Sequence, residues 1–209
     1  MLSFFGVGGP GQAWRVAATG GHNARMKDLT PFCCNHDDRP PGEAVRLIVV
    51  HAISLPPDDF GGPGVEQLFT NTLDPDAHPY YATIHHLRVS AHYFIRRDGE
   101  IICFVDPGRR AWHAGVSCWN GRERCNDFSI GIELEGSDTM PFEPVQYERL
   151  AALVAELKRR YPIEAVVGHS DIAPGRKTDP GPFFDWHRLH ALLAQRDDIR
   201  ADAHPDVKF

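Results

Sequence analysis

Hydrophobic positions fall into short blocks whose period changes along the chain. Arg46 to Val50 is a compact, β-branched apolar run, which predicts a buried strand with His51 at its carboxyl end. Ser129 to Glu135 alternates instead: Ile130, Ile132 and Leu134 face one way, Ser129, Gly131, Glu133 and Glu135 the other. Two carboxylates and a glycine on one strand face do not build core, and the glycine leaves room for something to approach the backbone. Glu164 to Val167 is a third strand, ending at Gly168-His169. From Pro144 to Tyr161 the period lengthens to that of a helix, with Tyr147, Leu150, Leu153, Val154, Leu157 and Tyr161 on one face. Pro144 suits an early helical position. Phe184 to Gln195 is a closing helix with Asp185 favourable in its first turn.

Between these blocks lie weaker signals. Ser90 to Arg97 and Glu100 to Val105 flank Asp98-Gly99, a pair suited to a hairpin with a primed turn. Val65 to Thr72 predicts a short helix. Leu55 to Gly64 and Asp74 to Tyr81 read as Pro-punctuated loops. Pro107 to Asp127 is a long connection holding Trp112, His113 and Trp119, and loops of that length are more often functional than idle. No internal repeat or low-complexity tract occurs. The chain divides into an irregular N-terminal extension (residues 1–43, with one short strand around Trp14 to Ala18), a folded domain (44–195) and a charged tail (196–209). Strands mixed with covering helices predict an α/β domain built on a central mixed β-sheet flanked by helices.

Composition narrows the classes. The 209 residues suffice for one domain with a real core. A 42% hydrophobic and 24% charged content is that of an ordinary globular protein. The net charge of −6 argues against a general nucleic-acid binder, which needs excess cations to displace counterions. The longest apolar runs are too short to span a membrane, and the N-terminus lacks the basic and apolar regions of a signal peptide. Five cysteines, Cys33, Cys34, Cys103, Cys118 and Cys125, match no zinc-knuckle spacing and read as free thiols in a reducing cytoplasm.

The chemistry-bearing residues concentrate at strand ends. Val166 to Pro182 runs from an apolar strand into a Gly/Pro-rich loop that presents His169, Asp171, Lys177 and Asp179. Such a loop packs no core but holds an imidazole, an ammonium and a carboxylate in one volume. His51 ends another strand, and sites in open α/β sheets form at the carboxyl ends of strands. Two histidines and one carboxylate suggest a catalytic zinc site with an open coordination position. Spacing alone does not choose between Asp171 and Asp179 as third ligand. Each residue also has an ordinary role open to it: a hydrogen-bonded histidine, an Asx turn for Asp179, a solvated Lys177, a salt bridge for Glu133. The sharper reading makes Glu133 a general base and Lys177 an oxyanion stabiliser. Arg88, Arg122 and Arg124 are candidates for bidentate pairing with substrate carboxylates, against the usual solvated surface charge. Trp112 is a sugar-stacking platform or loop-anchoring mass, and His113 beside it is ambiguous.

Several motifs together resemble the N-acetylmuramoyl-L-alanine amidases of the amidase type 2 and peptidoglycan-recognition superfamily, and within it the cytosolic members of cell-wall recycling. They include Val49-Val50-His51, Phe60-Gly61-Gly62-Pro63, Asp74-Pro75-Asp76-Ala77-His78-Pro79 and Leu87-Arg88-Val89-Ser90-Ala91-His92. Arg110-Ala111-Trp112-His113-Ala114-Gly115, Gly121 to Gly136 and Val166 to Pro182 complete the set. The resemblance spans roughly Val45 to Trp186. It implies zinc held by His51, His169 and Asp179, choosing Asp179 over Asp171, with Glu133 and Lys177 as the catalytic pair. It further implies that Trp112, with Ala111 beside it, packs on the anhydromuramyl ring, and that Arg88 and Arg124 meet the carboxylates of the peptide stem. Departures are Ala52, where the recycling members carry Asn, a longer segment before Val45, and the tail after Leu193.

The function so implied is zinc-dependent hydrolysis of the amide between 1,6-anhydro-N-acetylmuramic acid and L-alanine of the stem peptide, in the cytoplasm. The expected partner is a small muropeptide, with no nucleic acid or membrane, and the expected state a monomer. The alternatives are an amidase of polymeric peptidoglycan, a non-catalytic peptidoglycan-binding module, and a metal-free fold with structural histidines. The presence of both Lys177 and Asp179 favours an enzyme over a binding module.

Overall fold

The computed structural model describes residues 26–203, with side chains through Arg196. The strand expected around Trp14 to Ala18 lies outside the described residues. In chain order the strands are β1 (Lys27–Asp28), β2 (His36–Asp38), β3 (Leu47–Ile53), β4 (Tyr93–Ile95), β5 (Ile101–Cys103), β6 (Arg109–Ala111), β7 (Cys118–Trp119), β8 (Arg122–Glu123), β9 (Ser129–Glu135) and β10 (Ala165–Gly168). The helices are α1 (Gly64–Phe69), α2 (Pro79–Ile84), α3 (Pro144–Arg160), α4 (His169–Ile172) and α5 (Trp186–Ala203), with a 3-10 turn at Cys125–Asp127. Six strands form the central mixed sheet in the order β1-β5-β4-β9-β3-β10. Only the β4–β5 pair is antiparallel.

All seven residues of β9 are buried, because the sheet is covered on both faces. Ile130, Ile132 and Leu134 join Ile48, Val50 and Ile95 beneath Leu150, Val154 and Leu157 of α3 and Leu189 and Leu193 of α5. Each such aliphatic side chain contributes about 1.5–3 kcal/mol by leaving water. Helix α3 begins at Pro144, with Gln146 Oε1 accepting from Glu143 N at 2.9 Å. Helix α5 is capped by Asp185, whose Oδ1 accepts from Arg188 N at 2.9 Å. Tyr147 Oη accepts from Asp185 N at 2.8 Å and ties the two helices together.

The structure corrects several expectations. His51 is two residues inside β3 rather than at its end, since the parallel ladder with β9 continues to Ile53. Part of the segment read as irregular forms β1 and β2, which pair with β5 and β6. Their partners lie about 70 residues away, so no local signal announces them. The stretch 74–81 is not all loop: Pro79 opens α2, with His78 Nδ1 accepting from Tyr80 N at 3.1 Å. The hairpin turn is not primed. Arg96 N reaches Glu100 O and Gly99 N reaches Arg96 O, both at 2.9 Å, and only Gly99 has a positive φ (86°). That is a three-residue loop with a glycine bulge. The long connection 107–127 contains β6 to β8, and α5 runs eight residues past Gln195 into the expected tail. All five cysteines are free thiols.

Candidate metal centre and active site

Strand register sets the site. His51 on β3 pairs directly with Glu133 on β9, and Gly168 on β10 pairs with Val50, so the next residue, His169, falls beside His51. His169, the first residue of α4 just past the end of β10, therefore lines up with His51 and Glu133 on the two neighbouring strands. Gly168 closes β10 because Pro180 packs against it, and a Cβ there would lie 2.9 Å from Pro180 Cδ. Asp171 turns back to accept from Gly168 N at 2.7 Å, capping α4. The loop then returns Asp179 to the histidines, and Ser170 N donates to Asp179 O at 3.0 Å.

Three ligand-type atoms converge. His51 Nδ1 lies 3.0 Å from His169 Nδ1 and 3.0 Å from Asp179 Oδ2, and His169 Nδ1 lies 3.1 Å from the same oxygen. The other nitrogen of His169, Nε2, faces the carbonyl oxygen of Ala114 at 3.0 Å. A carbonyl only accepts, so Nε2 carries a proton, and Nδ1 is the nitrogen turned to the centre. Burial pushes His51 down to about 4, against the pull of Asp179, which keeps its ring neutral. Burial raises the Asp179 carboxyl, but the two adjoining imidazoles outweigh it and hold it well below the usual range. A donor set of two imidazoles and a carboxylate, with spacings close to the roughly 3.3 Å edge of a tetrahedron of about 2.05 Å bonds, fits a cation of the zinc type.

Two carboxylates on the same strand face meet opposite fates. Glu135 accepts from Gly61 N at 2.6 Å, Arg96 Nη1 at 3.2 Å and Arg97 N at 3.0 Å. Glu133, two residues earlier and also buried, leaves Oε2 with no hydrogen-bond partner. Burial, then the nearby charge of Asp179, raises its carboxyl well above the ordinary value, while Lys177 pulls the other way. The Lys177 side chain is exposed and makes no hydrogen bond or ion pair among the described residues. A cavity of about 580 Å³ opens over this row, lined by His51, Trp112, Glu133, His169, Lys177 and Asp179, with Tyr80, Ile84 and Leu87 supplying an apolar wall.

Other sequence candidates are placed differently. Trp112 lines the cavity with its Nε1 held by Asp37 Oδ1 at 3.2 Å. Ala111 is fully buried in β6 opposite His36 and lines nothing. Arg88 is turned onto the carbonyls of His85, His86 and Leu87, at 3.2 to 3.4 Å, and lies outside the cavity lining. Arg124, with φ of 62°, pairs with Asp127 at 3.2 Å and also lies outside it. Arg122 pairs with Glu43 and covers the Phe128 ring. Sequence reasoning missed Asp37 and left His113 undecided. The space at Gly131 was the signal for His113: a Cβ there would lie 2.4 Å from its ring.

Sheet, cavity and cluster define an α/β protein with a buried, metal-competent polar centre. Comparison with known proteins narrows this. Residues 41–182 match the N-acetylmuramoyl-L-alanine amidase family. The 1,6-anhydro-N-acetylmuramyl-L-alanine amidase AmpD of Enterobacter cloacae is 60% identical over 166 residues, covering 78% of this chain and 89% of that protein. The crystal structure of a selenomethionine AmpD derivative superposes with a TM-score of 0.78 at 57% identity, covering 81% of this chain and 95% of that one. The Escherichia coli amidase AmiD, solved with anhydro-N-acetylmuramic acid-L-Ala-D-gamma-Glu-L-Lys, gives a TM-score of 0.53 at 32% identity, covering 78% of this chain and 65% of that one. The chain belongs to the N-acetylmuramoyl-L-alanine amidase family, whose members are enzymes.

Proposed function

We propose that the chain is a zinc-dependent amidase that cleaves the bond between 1,6-anhydro-N-acetylmuramic acid and L-alanine of the stem peptide in peptidoglycan recycling. The observation that carries the reading is the convergence of His51 Nδ1, His169 Nδ1 and Asp179 Oδ2 beside a buried carboxylate without a partner. The names of the AmpD relatives and the muropeptide bound to AmiD support the substrate.

Zinc held by His51, His169 and Asp179 would activate water and polarise the scissile carbonyl. Glu133 takes the proton of the attacking water and delivers it to the leaving amine, a task suited to a carboxyl whose proton affinity is raised by burial. Lys177, free of other partners at the cavity wall, stabilises the tetrahedral oxyanion. Trp112, fixed by Asp37, offers a face for the anhydromuramyl ring. The reading includes a monomer acting in the cytoplasm. No helix among the described residues is long and apolar enough to cross a membrane.

Metal analysis and hydrolysis of anhydromuramyl-tripeptide test it. Wild type is expected to carry about one zinc per chain and to release the peptide, and Asp179→Ala to lose both. A wild type without zinc or without peptide release overturns the reading.

A further inference from the structure

The proposed zinc site needs a bare Nδ1 on His51, and an imidazole on a strand does not choose that tautomer by itself. Behind the ring runs a line of polar groups. His51 Nε2 lies 2.9 Å from His113 Nδ1, His113 Nε2 lies 3.2 Å from Ser129 Oγ, and Ser129 Oγ lies 2.5 Å from the carbonyl oxygen of Cys125. The line ends on a group that only accepts. The Ser129 hydroxyl therefore spends its one proton on Cys125 O, and its oxygen faces His113 as an acceptor. His113, with one proton on its ring, carries it on Nε2. Its Nδ1 is then an acceptor, and His51 must donate from Nε2.

We propose that Ser129 and His113 form a proton-orienting chain that fixes His51 in the tautomer with a bare Nδ1, making both of them positioning residues of the metal centre. The inference rests on the zinc reading above and adds residues to it. The fold is arranged around this chain. Ser129 and Glu133 lie on the same face of β9 with Gly131 between them, and the missing side chain of Gly131 is the space the His113 ring fills. Asn126 Oδ1 accepts from His113 N at 3.2 Å and Ala114 N at 2.8 Å, holding that segment against the sheet. Both metal-facing imidazoles thus terminate on backbone carbonyls of the same long connection. His169 reaches Ala114 O directly, and His51 reaches Cys125 O through two side chains. A second-layer partner of this kind orients a ligand ring and raises its basicity, and its loss weakens metal binding about 10–100-fold.

Nitrogen-15 NMR of the imidazoles in the metal-free full-length protein tests the tautomers directly. The expected result is a proton on Nε2 of both His51 and His113. A His51 with its proton on Nδ1 and none on Nε2, or a His113 with its proton on Nδ1 and none on Nε2, overturns the proposal. Zinc affinity by chelator competition tests the consequence. His113→Leu removes the acceptor and is expected to weaken zinc about 10–100-fold. His113→Asn, whose Oδ1 keeps an acceptor where Nδ1 was, is expected to recover most of that loss, and Ser129→Ala to fall between. A merely structural role predicts no such split between Asn and Leu. Should His113→Leu fail to fold, Ser129→Ala and the wild-type spectrum carry the test. Equal affinity in wild type, His113→Asn and Ser129→Ala overturns the chain. A wild type that binds no zinc counts against the proposed function instead, and the metal-free spectrum still decides the tautomer.

Discussion

The two faces of β9 are equally buried and chemically opposite. On one, Ile130, Ile132 and Leu134 pack under α3 and α5 in an apolar cluster. On the other, Ser129, Glu133 and Glu135 lie under loops, with His51 alongside on β3. Burial therefore does not separate core from site in this molecule. What separates them is whether polar valences are closed. Glu135 and Ser129 have theirs closed by named partners, as a stabilising core requires. Glu133 Oε2 does not, and a carboxylate desolvated without a partner is destabilising. The helix-covered face supplies the stability that lets the other face hold strained electrostatics.

Substitutions on either side of the strand put numbers on that contrast. The largest effect is expected at Glu133→Gln, with turnover lowered about 10²- to 10⁴-fold while zinc stays bound. Steady-state kinetics with metal analysis checks it, and unchanged turnover removes Glu133 from the mechanism. One residue away on the opposite face, Ile132→Ala is expected to cost about 2–5 kcal/mol in denaturant unfolding, with turnover per folded molecule unaltered. A selective loss of turnover there would show the two faces to be coupled. Asp185→Ala, which removes the α5 cap, should cost about 1 kcal/mol by the same measurement, without touching zinc affinity. The smallest effect lies in pH dependence. Because the folded-state carboxyl of Glu133 is raised, its contribution to stability is complete below the unfolded value of about 4.3 and is lost as pH rises through the folded value. Metal-free wild type should therefore lose stability relative to Glu133→Gln as pH rises above that point, with the two converging below it. Parallel unfolding curves from pH 4 to 8 would contradict the burial argument.

Much of the scaffold was legible because its signals are local. The alternation from Ser129 to Glu135 is β9 residue for residue, and the 3.6-residue period from Pro144 is α3 to within one residue. The β2–β6 pairing was not legible, since Asp37 meets Arg110 across a separation of 73 residues that includes β3, β4 and β5. Of the candidate residues, His51, Glu133, His169, Lys177 and Asp179 do line one cavity. Arg88 and Arg124 could not be placed from sequence, because a guanidinium reaches backbone carbonyls or an adjacent carboxylate as readily as a ligand. His113 carried no pattern of its own. Only the space left by Gly131, on another strand, explains where its ring goes.

The sequence by itself determined the periods, the turns and the kinds of donor available, because those depend on neighbours a few residues apart. It also carried the family, through motifs that run from Val45 to Trp186. The family motifs had implied Asp179 over Asp171, and the tertiary structure supplies the physical reason, since Asp171 is spent on capping a helix; it alone decided that Glu133 rather than Glu135 is left without a partner, and which nitrogen of each imidazole faces the centre. Those choices are matters of a few tenths of an ångström and of where single protons sit. They are made by strand register and by carbonyls that arrive from distant parts of the chain.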